Sequence, residues 1–354
     1  IIKDLLFIMS RKHRNHKLEE QIAHQKNASE LNLECQQLID QDMELVAKQA
    51  LRNNKTLITL NLSMNQIGEK GMQYLVDVLR TNTTLTTLDL SNNQIGDNGV
   101  QYLVDALLNN STLTKLNLVD NQISSTGAKS LADLLQANKK LNNLEFYNNL
   151  IGDAGAQHLA IALQNNTTLP TIDLSNNQIG DFGAQYFADV LHNNTTLTTL
   201  NIIDNHVGDI GVQHLADALK NNTTLITLDL SVNSIGAIGA QHLADTLRNN
   251  KRLTKLILKH NNIGDTGTQY LTDALRTNKT LKILDLQYNG ITAVGAQYFV
   301  DILQENTTLI TLDLQYNKIA DNVIQKMNDL LKKHNGENKK NDSNSLIMTC
   351  TMLL

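Results

Sequence analysis

Tyrosine and histidine side chains recur at one position along much of the chain, and they are the first residues that could perform chemistry. They are Tyr74, Tyr102, His158, Tyr186, His214, His242, Tyr270 and Tyr298. Histidine nitrogens bind zinc at about 2.0–2.1 Å. If His214 and His242 lie on neighbouring helices, whose axes are about 8–10 Å apart, the two rings do not share one ion. We therefore interpret this set as packing on a helix surface and predict no metal site.

Other residue types that support catalysis lack a catalytic spacing. The sequence contains no evident nucleophile–base pair, no phosphate-binding Walker motif and no His-x-x-x-His zinc helix. Aspartates recur at one position and are typical of a solvated helix face, as at Asp77, Asp105, Asp189 and Asp217. We expect that the chain is not an enzyme and that it binds neither a cofactor nor a small-molecule substrate.

Repetition of a 28-residue unit accounts for these recurring positions. Ten units follow one another without insertion from Asn54 to Lys333. Their first residues are Asn54, Asn82, Asn110, Asn138, Asn166, Asn194, Asn222, Asn250, Asn278 and Asn306. Eight of these begin an Asn-x-Ser/Thr sequon. Glycans on successive repeats would crowd along one edge, so we favour turn chemistry, in which asparagine ends a helix and threonine enters a strand.

Each unit has two halves with different hydrophobic periods. The first half reads L-x-x-L-x-L and alternates as a strand does, as at Leu85, Leu88 and Leu90. The second half has the i, i+3, i+4 spacing of one helical face, as at Leu103, Ala106 and Leu107. One strand and one helix cannot bury these leucines alone, so the units must stack.

Stacking predicts an α/β fold, a horseshoe-shaped solenoid with a parallel β-sheet on its concave face and α-helices on its convex face. We expect Asp97 to cap the start of its own helix. Gly71 and its equivalents should permit a close approach of chains at the helix entry. One asparagine after each strand, from Asn65 to Asn317, should bind backbone groups of its turn and of the adjacent repeat.

The repeat form N-x-T-L-x-x-L-x-L-x-x-N-x-I-G-x-x-G-A-x-x-L-A-x-A-L resembles the ribonuclease-inhibitor-like leucine-rich repeats, most of all those of NOD-like receptors. The resemblance covers Asn54–Lys333, about four-fifths of the chain. It implies a leucine-rich-repeat solenoid that binds another protein, such as the ligand-sensing region of a NOD-like receptor-like protein. The alternative is a GTPase-activating regulator resembling the Ran GTPase-activating protein. That family has an acidic tail, whereas this chain ends in Lys332, Lys333, Lys339 and Lys340.

The repeat array leaves a segment at each end. Residues 1–30 are predicted to form a basic leader, helical or disordered, with Arg11, Lys12, Arg14 and Lys17. Residues 31–53 read as a divergent capping repeat, residues 54–333 as the ten repeats and residues 334–354 as a disordered tail. Solenoid ends need atypical repeats of this kind to shield the core.

Composition and charge argue against several classes of partner. The formal net charge of −5 does not favour a polyanion. No apolar run approaches the ~18–20 residues of a membrane span. The two cysteines, Cys35 and Cys350, lie at opposite ends and fit a reducing compartment. The chain begins with Ile1 rather than methionine, so we expect a fragment or a processed form. We predict a cytoplasmic protein that binds neither nucleic acid nor membrane.

The variable residues between the strand leucines define the predicted contact surface. One row of ten residues has six acidic members and should attract a basic protein. This row consists of Asn61, Asp89, Asn117, Glu145, Asp173, Asn201, Asp229, Ile257, Asp285 and Asp313.

Repeats eight to ten (residues 250–333) depart from the usual Thr, Asp, Ser and Asn on this surface. They carry Lys255, Ile257, Lys259, His260, Ile283, Tyr288 and Tyr316. Clustered aromatic and amphipathic side chains are typical interface anchors, so we predict a contact patch here, with neutral drift between repeats as the alternative. Tyr147, beside Lys115 and Glu145, is a smaller candidate.

Overall fold

Short strands and helices alternate through residues 15–338, the part of the chain that the computed structural model describes. The strands are β1 Glu30–Asn32, β2 Thr59–Asn61, β3 Thr87–Asp89, β4 Lys115–Asn117, β5 Asn143–Glu145, β6 Thr171–Asp173, β7 Thr199–Asn201, β8 Thr227–Asp229, β9 Lys255–Ile257, β10 Ile283–Asp285 and β11 Thr311–Asp313. The helices are α1 His16–His24, α2 Asp42–Leu45 (which continues as a π-helical turn, Val46–Leu51), α3 Glu69–Thr81, α4 Gly96–Leu107, α5 Ser125–Ala137, α6 Gly152–Leu163, α7 Asp181–Asn193, α8 Asp209–Leu219, α9 Ala237–Leu247, α10 Gly264–Leu275, α11 Ala293–Ile302 and α12 Asp321–Asn338.

The strands form two parallel sheets, one in each of two compact units. Among the described residues, the first unit contains residues 15–151 together with Ile161–Leu169, and its sheet has the order β1-β2-β3-β4-β5. The second unit contains Gly152–Ala160 and residues 170–338, and its sheet runs from β6 to β11. Every pair joins strands that are consecutive in the chain. This arrangement confirms the predicted α/β solenoid of parallel strands and helices.

The strands begin two residues later than the leucine pattern suggests, at Thr59 rather than Leu57. The N–H groups of Ile58 and Thr59 both donate to the Ser29 carbonyl, at 2.7 and 3.0 Å, and regular pairing starts there. The central residue of each strand is the one that enters the core. Leu60, for example, is completely buried, while Thr59 and Asn61 on either side are half-buried. The two neighbours therefore lie on the opposite, polar face of the sheet.

The asparagine after each strand joins adjacent repeats, as predicted. The Asn205 Nδ2 donates to the carbonyl oxygens of Leu174 and Ile203, both at 2.9 Å. Its Oδ1 accepts from the N–H groups of Asn177 at 3.1 Å and Ile179 at 2.8 Å. One buried amide thus satisfies four backbone groups of two repeats, which would otherwise be unpaired away from water.

The prediction that Asp97 caps its own helix is wrong. Helix α4 already begins at Gly96, so Asp97 lies inside its first turn. The carboxylate instead accepts from the N–H groups of Ser124 at 2.7 Å and Gly127 at 3.0 Å, at the start of the next helix. The first N–H groups of a helix have no partner within it, and here the preceding repeat provides one. The spacing of residues in the sequence does not show whether Asp97 caps its own helix or the next one.

The same capping bond makes one glycine in most repeats sterically necessary. A methyl group on Gly211 would lie 2.7 Å from Asp181 Oδ1, 2.9 Å from Val207 Cγ1 and 3.0 Å from the Asp181 Cα. We expect Gly211→Ala to lower the free energy of unfolding by about 1–3 kcal/mol through overpacking. Chemical denaturation measures this loss.

Gly208→Ala is the matched control for this prediction. Its added methyl would lie no closer than 3.5 Å to the same Asp181 carboxylate, an ordinary contact, and its φ of −104° suits alanine. Equal denaturation midpoints for the two variants would contradict the assigned contact.

The two ends of the described chain are built differently. At the first end, α1 buries Leu18 and Ile22, and the Asn15 Nδ2 donates to Asp42 Oδ1 at 3.1 Å. At the other end, the central residue of β11, Leu312, is only half-buried, because β11 pairs with β10 alone.

Helix α12 runs to Asn338, five residues into the predicted tail. The leader residues Arg11, Lys12 and Arg14, and residues 339–354 with Cys350, Lys339 and Lys340, lie outside the described residues.

Candidate interaction surface

The sheet register places the predicted row of variable residues at the third position of each strand. In the first unit, Asn61 lies opposite Asp89, followed by Asn117 and Glu145. In the second unit the row is Asp173, Asn201, Asp229, Ile257, Asp285 and Asp313. All ten side chains are half-buried on the sheet face. The structure therefore brings the members of the row together within each unit.

The aspartates of the second unit bind their own turns. Asp229 Oδ1 accepts from the Ser231 N–H at 2.9 Å and from the Ser231 hydroxyl at 2.6 Å. Burial raises the pKa of Asp229 above its ordinary value, and the Ser231 hydrogen bonds and the Lys255 charge only partly oppose this effect. Burial likewise raises the pKa of Asp285, and the nearby Asp313 carboxylate adds to the rise. These carboxylates supply negative potential but are only partly open to a partner.

Two isoleucines of the predicted patch are half-buried, although a contact patch of interface anchors would expose them. Ile257 lies in register between Asp229 and Asp285, and Ile283 lies opposite Lys255. Side chains on adjacent strands of one sheet face lie side by side and cover each other. Neighbouring side chains on the sheet therefore partly cover Ile257 and Ile283, so neither isoleucine protrudes as an anchor.

The most distinctive feature of repeats eight to ten is a stack of three rings, which we call the aromatic stack: His260, Tyr288 and Tyr316. The centroids of His260 and Tyr288 are 4.0 Å apart with an interplanar angle of 13°. Tyr288 and Tyr316 follow at 4.2 Å and 10°. All three residues are exposed, and 56% of the Tyr316 surface remains accessible. Sequence reasoning found the residues but missed the stack, although their 28-residue separation in a parallel register was the signal for it.

The backbone at the aromatic stack is left-handed. The φ angles of His260, Tyr288 and Tyr316 are 54°, 52° and 58°. The same repeat position is left-handed elsewhere, where it mostly holds asparagine or aspartate: Asn92, Asp120, Asn148, Asn176 and Asp204. Asparagine and aspartate tolerate this conformation, and ring side chains adopt it less readily. The left-handed turn is therefore a feature of the repeat, and repeats eight to ten differ in that ring side chains occupy it.

Tyr147, the smaller candidate, lies in the first unit and apart from any ring stack. It is exposed and occupies the repeat position that Lys259 holds in repeat eight, one residue before the position of the stack. Lys115 and Glu145 lie on the neighbouring strands β4 and β5. This small group contains one aromatic ring and resembles the aromatic stack only in part.

The tyrosines and histidines of the helices are placed on helix surfaces, where neighbouring repeats contact each other. The Gln73 Nε2, for example, donates to the Tyr102 hydroxyl at 2.6 Å. Within the described part of the chain, no three His, Cys, Asp or Glu side chains are grouped closely enough to hold a metal ion. Among residues 15–338, no helix has both the length and the apolar character that crossing a bilayer requires.

The asparagines that open the repeats act in turns, as predicted. Asn222 Oδ1 accepts from the N–H groups of Thr224 at 3.0 Å and Leu225 at 2.8 Å. Its Nδ2, the atom to which a glycan would attach, donates to the Leu191 carbonyl of the preceding repeat at 2.8 Å, and the residue is buried. The sequon at this position is therefore part of the fold.

Comparisons with known proteins agree with this architecture. A family model described as "Leucine Rich repeat" matches nine segments that together cover more than half of the chain: residues 53–76, 81–104, 109–132, 165–188, 193–216, 221–244, 249–271, 277–300 and 305–322. No curated protein sequence matches the chain.

Two solved structures illustrate the similarity in fold. An internalin (inlF) from Listeria monocytogenes is 22% identical, with a TM-score of 0.52 over 86% of each chain. A structure described as the leiomodin-1 actin-binding site 2 is 18% identical, with a TM-score of 0.37 over 51% of this chain and 90% of its own. At these identities the internalin indicates a shared fold only, and the leiomodin similarity is too low to support an argument.

Proposed function

Because the chain belongs to the leucine-rich repeat family, we propose that it is a protein-binding scaffold whose contact surface is the sheet side of repeats eight to ten. Repeat arrays present extended surfaces to their partners. The observation that carries the proposal is the aromatic stack: His260, Tyr288 and Tyr316 are exposed, stacked and held on left-handed backbone. Packing of the core requires neither the exposed rings nor their stacking, whereas the left-handed backbone is shared by this position in the other repeats.

The chemistry of this surface favours a protein partner with basic groups. Tyrosines are enriched among the residues that carry interface binding energy, because each offers a large rigid surface with a polar tip. Gln287, the residue before Tyr288, donates through its Nε2 to Asp313 Oδ2 at 2.7 Å and to Asp285 Oδ2 at 3.3 Å, so it bridges two carboxylates of the acidic row. Lys259 lies near Asp285, and Lys255 lies near Asp229. The negative charge therefore comes from the acidic row as a whole, which continues through Asp229 and Asp173 and should steer basic partners and repel nucleic acid.

We further propose that the array is the ligand-sensing region of a cytoplasmic NOD-like receptor-like protein. The support for this finer assignment is the repeat form, which resembles the repeats of those receptors. A P-loop nucleotide-binding domain encoded in the same reading frame before Ile1 is the expected finding. A signal peptide there would contradict both the location and the receptor assignment.

Affinity capture from an extract of the source organism tests the scaffold proposal. The bait is the described array, and its variant carries Tyr288→Asn and Tyr316→Asn, because asparagine holds this left-handed position in other repeats. We expect one protein to be retained by the unmodified array and lost with the variant.

The matched control for the capture carries Asn92→Asp and Asp120→Asn, the same repeat position in the first unit, where both residue types tolerate the left-handed backbone. This control should retain the captured protein. Equal capture by all three baits would contradict the proposed surface.

A further inference from the structure

A second exposed surface lies on the helices of the second unit. The four most exposed large apolar side chains among the described residues are Phe182 at 69%, Ile210 at 61%, Ile238 at 60% and Val294 at 59%. Each is the second residue of its helix, in α7, α8, α9 and α11. Phe182, Ile210 and Ile238 belong to three consecutive repeats, and we call them the apolar row.

The apolar row has no counterpart in the first unit. The equivalent repeat positions there hold Lys70, Asn98 and Thr126, which are polar. The fold therefore does not require an apolar side chain at this position. Side chains as exposed as Ile210 and Ile238 contribute little to the core, and exposed apolar side chains that recur in consecutive repeats are candidates for an interaction site.

The spacing of the apolar row fits an α-helix laid across it. Packed helices are about 8–10 Å apart, so the three side chains follow one another at about that interval. Residues seven apart on an α-helix are separated by about 10.5 Å along its axis. A partner helix with apolar residues at every seventh position can therefore contact Phe182, Ile210 and Ile238 together.

The charge around the apolar row indicates which charge a partner helix should carry. Helices α7 to α9 contain five aspartates and neither lysine nor arginine within their bounds; the aspartates are Asp181, Asp189, Asp209, Asp217 and Asp245. The two cations that follow these helices, Lys220 and Arg248, pair with Asp217 and Asp245, so the remaining negative charge comes from Asp189 and from the capping carboxylates Asp181 and Asp209, which directly precede Phe182 and Ile210. A second copy of this surface, or an anionic bilayer, would meet like charge, whereas a basic helix would meet opposite charge.

We propose that the apolar row binds a basic amphipathic helix of a partner protein, with Ile210 as the central anchor. The apolar residues of that helix recur at seven-residue spacing, and lysine or arginine flanks them. This site is separate from the aromatic stack and does not depend on the function proposed for it.

The probe for this site is a labelled 21-residue helical peptide with leucine at every seventh position, lysine beside each leucine and alanine elsewhere. Its control is a scrambled peptide of the same composition. Fluorescence anisotropy should show the patterned peptide binding at least about tenfold more tightly than the scrambled one, because only the patterned peptide aligns its leucines with the row.

Two variants locate the peptide on the protein. Ile210→Ser removes the central anchor without changing charge and should weaken binding of the patterned peptide at least about tenfold. Thr126→Ser changes the equivalent position of the first unit and should leave binding unaltered, as should the pair Tyr288→Asn and Tyr316→Asn. Since Ile210 is exposed, equal denaturation midpoints should show that its variant is folded.

Four results would overturn the proposal. The first two are equal binding of the two peptides and unchanged binding by Ile210→Ser. The third is self-association in analytical ultracentrifugation that Ile210→Ser abolishes, which would assign the row to a second copy. The fourth is binding to phosphatidylserine vesicles that the same variant loses, which would assign it to a membrane surface.

Discussion

Leu200→Ala should lower the free energy of unfolding of the second unit by about 2–5 kcal/mol, the range found when a buried leucine is truncated and a cavity remains. Leu200 is completely buried at the centre of β7, in register with Ile172 on one side and Leu228 on the other. In a stacked array each repeat is stabilised by its neighbours, so a cavity here weakens the contacts on both sides. Chemical denaturation followed by circular dichroism measures the loss.

Thr199→Ala is the control for this truncation, because Thr199 belongs to the same strand but is half-buried on the opposite sheet face. It should change the free energy of unfolding by no more than about 0.5 kcal/mol, as substitutions away from the core usually do. If both variants unfolded at the same denaturant concentration, the assignment of core and surface faces to the strands would be wrong.

Combining Tyr288→Asn with Tyr316→Asn should weaken binding of the captured partner at least about 30-fold. Truncation of a buried aromatic anchor typically costs about 2 kcal/mol or more, and each ~1.4 kcal/mol corresponds to a factor of ten in affinity. The two rings stack at 4.2 Å, so loss of either one also removes support from the other. Surface plasmon resonance with the purified partner measures the change, which should be mostly in the dissociation rate.

Asp89→Asn and Asp173→Asn test the contribution of charge on the same sheet faces. Each should chiefly lower the association rate, and the difference from the unmodified protein should shrink at high salt, because salt screens charges that are partly open to solvent. The Tyr pair and the Asp variants should all keep the unfolding midpoint, since none alters a core leucine or an asparagine that joins repeats. Normal binding by the tyrosine pair, with binding abolished by the aspartate variants, would place the site on the acidic row instead.

The repeating part of the fold could be predicted because every repeat has the same hydrophobic pattern and must bury the same leucine positions. A leucine pattern that changes period within 28 residues cannot be buried by one strand and one helix, so parallel stacking follows from the sequence alone. The role of Asn205 was equally predictable, because a turning backbone needs a side chain that both donates and accepts. The polar sheet face followed from the alternation of side chains along each strand.

Features that join one repeat to the next required the tertiary structure. Asp97 caps the following helix rather than its own, because stacking places that helix start beside it, and sequence spacing suits both partners. His260, Tyr288 and Tyr316 form a stack because the register places three left-handed turns side by side, and the ring centroids then lie 4.0 and 4.2 Å apart. The apolar row appears only when the exposed start of each helix is known. Within a repeat, the hydrophobic pattern of the sequence determines which residues are buried. Between repeats, the register of the strands and the order in which the repeats stack determine which side chains contact each other.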